Sequence, residues 1–394
     1  QFAALGAAQI GGLSTSALNG LSVTRLSALT TTQLAGLGAS QIGSLSTTQI
    51  EGLTTRQLQA LTPDALEGLT SRGLAALGTA QLRALTATQV AALSTSAISG
   101  LSNAQISAFS SDQMASLQAT QIAALSTTAI AGLTTSQLSQ LTSTQLAGLS
   151  ATGIGALTPT QIESFTTTQI GHLSRTGIGG LTATQLSSLT ADQLGALSST
   201  QIGAIATTAI TGLTETQIDA LTDTQVAGLR AAQIGAMDST QIRAMSTTDI
   251  SSLTSTQLEG LLRVQIRALT ASQIAALTET QIASFDASQI VNMTTTMLST
   301  LSQSQLGALS SSQIGALSTL QLNSLAPSVI ASLSTNQVAG FTTTQISSLT
   351  ATAISGLTTT TIEALNGLQI SAFTETQIAG MTTEQKAALQ AASS

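Results

Sequence analysis

Apolar residues recur along this chain with an alternating spacing of three and five, and the phase never changes. Each residue is assigned here an octad position, its number modulo eight. Positions 2 and 5 together occur 98 times between Phe2 and Leu389, and 97 of these residues are Leu, Ile, Val, Met or Phe. Lys386 is the single departure, and no insertion or deletion shifts the register. A half-buried strand needs period-two alternation, whereas "LTTTQL" (29–34) carries four polar residues in a row. A helical turn fits the three-residue step. The five-residue step must then contain a break.

That break is written in capping chemistry. Position 6, directly after the second apolar residue, is Ser or Thr in 37 of 49 octads, with Asp238, Asp286 and Asn366 as further cap-type residues. Three residues on, position 1 is Gln in 35 of 49 octads. S/T-x-x-Q is a capping box: the hydroxyl accepts from the third amide, and the Gln side chain reaches back to the cap amide. The apolar residues on either side stand where a hydrophobic staple places its pair. Pro63, Pro159 and Pro327 all fall at position 7, the first helical residue, where a missing N–H costs nothing. Eleven of 17 carboxylates, Asp64, Asp112 and Glu375 among them, lie between the cap and the third helical residue, at the positive helix end.

The pattern predicts one short helix per octad, running from position 7 to position 5, about 10 Å long at the usual rise. Isolated helices of that length are marginal in water, so stacking must hold them. Position 4 is Ala, Gly or Ser in 45 of 49 octads, the exceptions being Gln140, His172, Asn292 and Thr300. Small residues there let neighbouring backbones approach. The expected fold is all-α: an α-solenoid of very short capped helices over residues 1–386, with 387–394 as a C-terminal end or cap. A β-solenoid is the alternative, since Thr, Ile and Val suit strands and short periods suit stacked rungs. It leaves the capping boxes and prolines without a reason. A flexible Ser/Thr-rich stalk does not account for the apolar register, and a coiled coil requires heptads.

The units "LTTTQLAGL" (29–37) and "LSTTQIEGL" (45–53) resemble the octapeptide tracts of very large repetitive bacterial secreted or surface proteins. The resemblance covers essentially the whole chain. It implies an extracellular or cell-surface structural role and carries no functional residues across.

Composition narrows the function classes. Only 7% of residues are charged, the formal net charge is −7, and the ten Lys and Arg are dispersed. Nucleic acid is therefore not an expected partner, because phosphate binding needs a concentrated basic surface. Apolar runs are too short to span a membrane. With no Cys, disulfides and thiolate metal sites are excluded. Gln1 begins within a repeat, so the chain reads as a mature product or a segment of something longer. A low-charge, hydroxyl-rich exterior lacks the charged coat that normally opposes self-association, so fibres or bundles are expected, with cell-surface or glycan contact as a further possibility.

Candidate chemistry is thin, and no catalytic, cofactor-binding or metal-ligating residue is expected. His172, the sole histidine, reads as a tolerated variant at a small-residue position. The Gly153/Gly155 pair lacks the strand before it and the Lys after it that a phosphate loop requires. Asp219/Asp223 and Asp238/Arg243 read as solvated pairs worth little. "LEGLLRVQIRAL" (258–269) is the most irregular stretch, with Leu262 in place of the cap and Arg263 and Arg267 adding charge. It reads as a contact point or as drift. The function expected is a non-enzymatic structural rod, filament subunit or stalk; the alternative is a ligand- or partner-binding repeat surface, for example an adhesin, a glycan binder or an ice binder.

Overall fold

A computed structural model describes residues 4–393; Gln1 and Phe2, which open the capping and apolar columns, lie outside the described residues with Ala3 and Ser394. Among the described residues there are 48 helices, α1 (Ala7–Gly11) to α48 (Thr383–Ala392), and no strand. The expected α-solenoid is the architecture, and the β-solenoid is not. The chain forms two compact units, 1–212 and 213–394, each built in the same way.

One octad shows the local logic. Thr54 has extended dihedrals (φ −73°, ψ 157°), and its hydroxyl accepts from the Gln57 N–H at 3.2 Å. Gln57 Oε1 accepts in return from the Thr54 N–H at 2.9 Å, closing the capping box. The helix α7 (Thr55–Ala60) then ends, and Leu61 returns to extended geometry with ψ 138°. Where the cap residue lacks a suitable oxygen, half of the device survives: the Gly78 N–H still donates to Gln81 Oε1 at 2.7 Å. Pro63, Pro159 and Pro327 each open a helix.

Helix length differs from expectation. Apart from α48, the helices have four to six residues, and position 5 lies beyond them. The next cap must be extended, so the preceding apolar residue has to leave the helix to aim the chain at it. Its N–H keeps a tighter bond to the carbonyl three residues back, as in Leu61 to Leu58 at 3.2 Å. The C-terminal stretch is helical. α48 is a continuous ten-residue helix that crosses the 386/387 boundary. Gln390, Ala391 and Ala392 supply strong helix formers where other octads place a cap. Lys386 is half-buried, and its Nζ donates to the Ala379 carbonyl at 3.0 Å.

Stacking is between coils. In the first unit α13 (Asn103–Ser107) packs on α16 (Thr127–Ala131), three octads along; in the second α31 (Thr247–Ser252) packs on α34 (Ala271–Ala276) in the same way. Positions 2 and 5 form the core, Ile154, Leu157, Ile162 and Phe165 being typical of its fully enclosed side chains. Position 4 meets backbone. A Cβ added at Gly180 would fall on the carbonyl oxygen, carbonyl carbon and Cα of Ala151, one coil earlier. By contrast a Cβ at Gly195 meets nothing within 4 Å.

This difference is testable. Gly180→Ala should cost about 1–3 kcal/mol, because the obstructing atoms are main chain and cannot rotate away. Gly195→Ala should stabilise by about 0.4–1 kcal/mol through the unfolded state. Denaturant unfolding of the two variants checks this; equal shifts of the same sign would contradict the close approach.

Candidate functional site: a buried glutamine ladder

The polar residue most committed to the structure is the position-1 glutamine. Its side chain is buried in nearly every octad that has it. While Oε1 closes the local capping box, Nε2 points into the coil below. Gln57 Nε2 donates to the carbonyls of Leu26 (3.2 Å), Ser27 (3.1 Å) and Leu29 (3.0 Å). In the second unit Gln281 Nε2 donates to Ile250 (2.9 Å), Ser251 (3.1 Å) and Leu253 (2.8 Å). These carbonyls lie at a helix C-terminus, where backbone acceptors run short of N–H partners; the first of each set also accepts from the position-5 amide, as Leu26 does from Leu29 at 3.1 Å. One amide thus serves an N-terminus in its own octad and a C-terminus 28 to 31 residues earlier. Helices three along pack together, yet glutamines reach the fourth helix back. Each coil therefore takes between three and four octads.

Sequence reasoning found the first half of this device and missed the second. A capping box accepts Glu or Gln, yet position 1 holds 35 Gln and no Glu. That bias was the available signal, since a carboxylate cannot donate to carbonyls. Asp249 is the one acid in the column: it is buried, and its Oδ2 accepts from the Ser246 N–H at 2.7 Å. Met297 replaces Gln once, with Sδ 3.4 Å from the Thr294 N–H.

The other singled-out residues fall apart from one another. His172 is exposed at the end of α21 (Thr167–Gly171), its N–H donating to the Thr168 and Gln169 carbonyls at 3.1 Å. Gly153 and Gly155 lie within the helix α19 (Ala151–Ala156); the Gly153 N–H donates to Ser150 Oγ at 3.0 Å, and Gly155 faces the Gly180 carbonyl. Asp219 and Asp223 are exposed on successive helices. Asp238 and Arg243 are each engaged elsewhere: Asp238 Oδ1 accepts from the Thr240 and Gln241 N–H groups, both at 2.8 Å, and Arg243 Nε donates to the Ala268 carbonyl at 3.1 Å. Leu262 leaves its helix without a side-chain cap, and its own N–H donates to Gln265 Oε1 at 2.6 Å. A shallow groove in the second unit is lined by Ser310, Ser311, Ser334, Asn336 and their neighbours, with no titratable group among the lining residues. Among the described residues no cluster of three or more His, Cys, Asp or Glu could hold a metal ion, and no helix is long and apolar enough to cross a membrane.

Two aspartate caps give the fold a pH dependence. The Gln241 N–H and then the Thr240 hydroxyl hold Asp238 below its ordinary 3.8. The Ser288 hydroxyl and then the Gln289 N–H do the same for Asp286. A lowered folded pKa means that the stabilisation is complete above the unfolded value and is lost as pH falls through the folded one. Both groups are mostly exposed, so solvent screens the effect and keeps it small. The wild type should therefore lose stability relative to the double variant Asp238→Ser/Asp286→Ser as pH falls from about 5 through the ordinary 3.8 and below. Unfolding midpoints across that range check it; parallel profiles would contradict the assigned caps.

Comparison with known proteins adds little beyond the repeat. No curated protein matches the chain. The solved structure described as "Structure of APUM23-GGAAUUGACGG" is 10% identical over 98% of this chain and 92% of that one, but the TM-score of 0.16 leaves the superposition without weight. Residues 26–63 and 89–119, two stretches of the octad tract in the first unit, match the family model described as the ALTTAQ repeat.

Proposed function

We propose that this chain is a non-enzymatic structural protein, acting as a rod, filament subunit or surface stalk through repeat stacking and self-association. The glutamine ladder carries the reading. The one abundant polar side chain of the interior is spent at both ends on structure, its oxygen on the local cap and its nitrogen on joining coil to coil. What remains outside is a mild exterior of Thr, Ser, Ala and Gly with 7% charge in the whole chain, far below the usual share. Repetition of that kind supplies reach and mechanical continuity, and it needs no pocket. An extracellular or cell-surface location is part of the same proposal, supported by the octapeptide resemblance. Glycan or other ligand contact through the threonine rows is the second reading, and immobilised glycans would reveal it.

Negative-stain electron microscopy and small-angle scattering of the purified protein test the proposal. Fibres, bundles or elongated particles are expected. A compact, monodisperse globule at high concentration would overturn it, as would a catalytic activity abolished by His172→Ala.

A further inference from the structure

Large apolar side chains are almost all enclosed, and the exceptions are not scattered. Among the described residues five are exposed, namely Leu262, Val264, Val291, Leu320 and Leu368, and all five belong to the second unit. Four of them fall into line. Val291 follows Leu262 by 29 residues, and Leu320 follows Val291 by 29. That interval is the reach of the glutamine ladder, which ties the same segments together. Gln289 Nε2 donates to the Leu261 carbonyl at 3.0 Å, beside Leu262. Gln321 Nε2, beside Leu320, donates to the Val291 carbonyl at 3.2 Å. Three successive coils therefore present Leu262 with Val264, then Val291, then Leu320 along one side. Leu262 and Val264 are 59% and 66% exposed, and Leu320 is 72% exposed, each at a position that Ser, Thr or another small or polar residue usually fills.

We propose that this apolar stripe is a self-association face that pairs with the same stripe on a second copy of the chain. The proposal rests on the structural, self-associating reading above and names the surface. Charge selects the occupant. Exposed Glu259 and Arg263 flank the first element of the stripe with opposite signs. A two-fold interface brings residue i of one copy to residue j of the other and j to i. An acid and a base beside the same apolar patch are then complementary to their own copies. Two-fold pairing sets Arg263 of each against Glu259 of the other, with Leu262 and Val264 closing against each other between them. Four side chains make a small interface, at the weak end of the usual range, so the association is expected to depend on concentration.

The test is sedimentation velocity of the full chain over a wide concentration range, alone and with substitutions. The variant Leu262→Thr/Val264→Thr/Leu320→Thr removes the three most exposed side chains of the stripe while supplying a hydroxyl at the missing cap, so folding is preserved and circular dichroism verifies it. Wild type should move towards twice its monomer mass with rising concentration, and the variant should remain monomeric. Glu259→Arg alone should weaken pairing, and Glu259→Arg/Arg263→Glu should restore it. If wild type and triple variant associate equally, the stripe is not the face, although the structural reading stands. If wild type stays monomeric at every concentration, this inference fails and the self-association half of that reading fails with it.

Discussion

Gln185→Glu should destabilise the first unit by about 3–5 kcal/mol, the range for leaving a buried charge uncompensated. The native amide is 2% exposed and its Nε2 donates to the carbonyls of Ile154 at 2.8 Å and Leu157 at 2.6 Å. Glutamate has the same shape and keeps the local capping box, because one oxygen still accepts from the Thr182 N–H. The other oxygen, however, meets two carbonyl oxygens with no proton to offer. Gln185→Met should cost less, about 1–3 kcal/mol, since it takes a donor from both carbonyls without burying a charge. The wild sequence already tolerates that exchange once, at Met297. The glutamate variant should also respond to pH. Burial against carbonyls raises its folded pKa above the unfolded value, so its deficit should shrink as pH falls through that raised value. Urea unfolding at neutral and acid pH decides the matter. A glutamate variant as stable as wild type at neutral pH would show that the inter-coil bonds contribute nothing.

Ile202→Ala should cost about 2–5 kcal/mol, against about 1 kcal/mol for Ser198→Ala in the same octad. Ile202 is 1% exposed, inside the core of the first unit. Removing its branched end leaves a cavity between coils that neighbouring backbones, already in contact, are poorly placed to fill. Ser198 contributes one hydroxyl, which accepts from the Gln201 N–H at 3.3 Å. Its loss leaves the Gln201 side chain still holding the Ser198 N–H at 2.9 Å. Contacts run only between adjacent coils, so the first damage should be local. Hydrogen exchange should report it in the first unit, within about one coil of residue 202. Equal costs at the two sites would contradict the division between core and cap.

These two variants also mark how far the sequence could be read. The role of Ile202 was legible because burial follows the local period. The role of Ser198 was legible because a capping box lies within four consecutive residues. The helix limits were less so: nothing in the apolar pattern separates a helical position 5 from an extended one, and the geometry of the next cap decides it. The far partner of Gln185 was not legible. It depends on how many octads complete a coil, and no residue records that number; only the absence of Glu from the column hints that a donor is needed. Leu262 stood out in the sequence as an anomaly, but its alignment with Val291 and Leu320 depends on the same number.

A coil of between three and four octads has a consequence for how such a chain changes over generations. Because the coil closes on no whole number of repeats, no block of octads is privileged as a unit of construction. Each octad is interchangeable with its neighbours as acceptor in the ladder, and each that carries the glutamine is interchangeable as donor. Gain or loss of a single octad by unequal recombination hands every glutamine a new set of carbonyls equivalent to the old one. A frameless slip of one residue instead turns every later side chain out of its column. Copy number is therefore free to drift in steps of eight while phase must be held, and the phase of this sequence is held without exception.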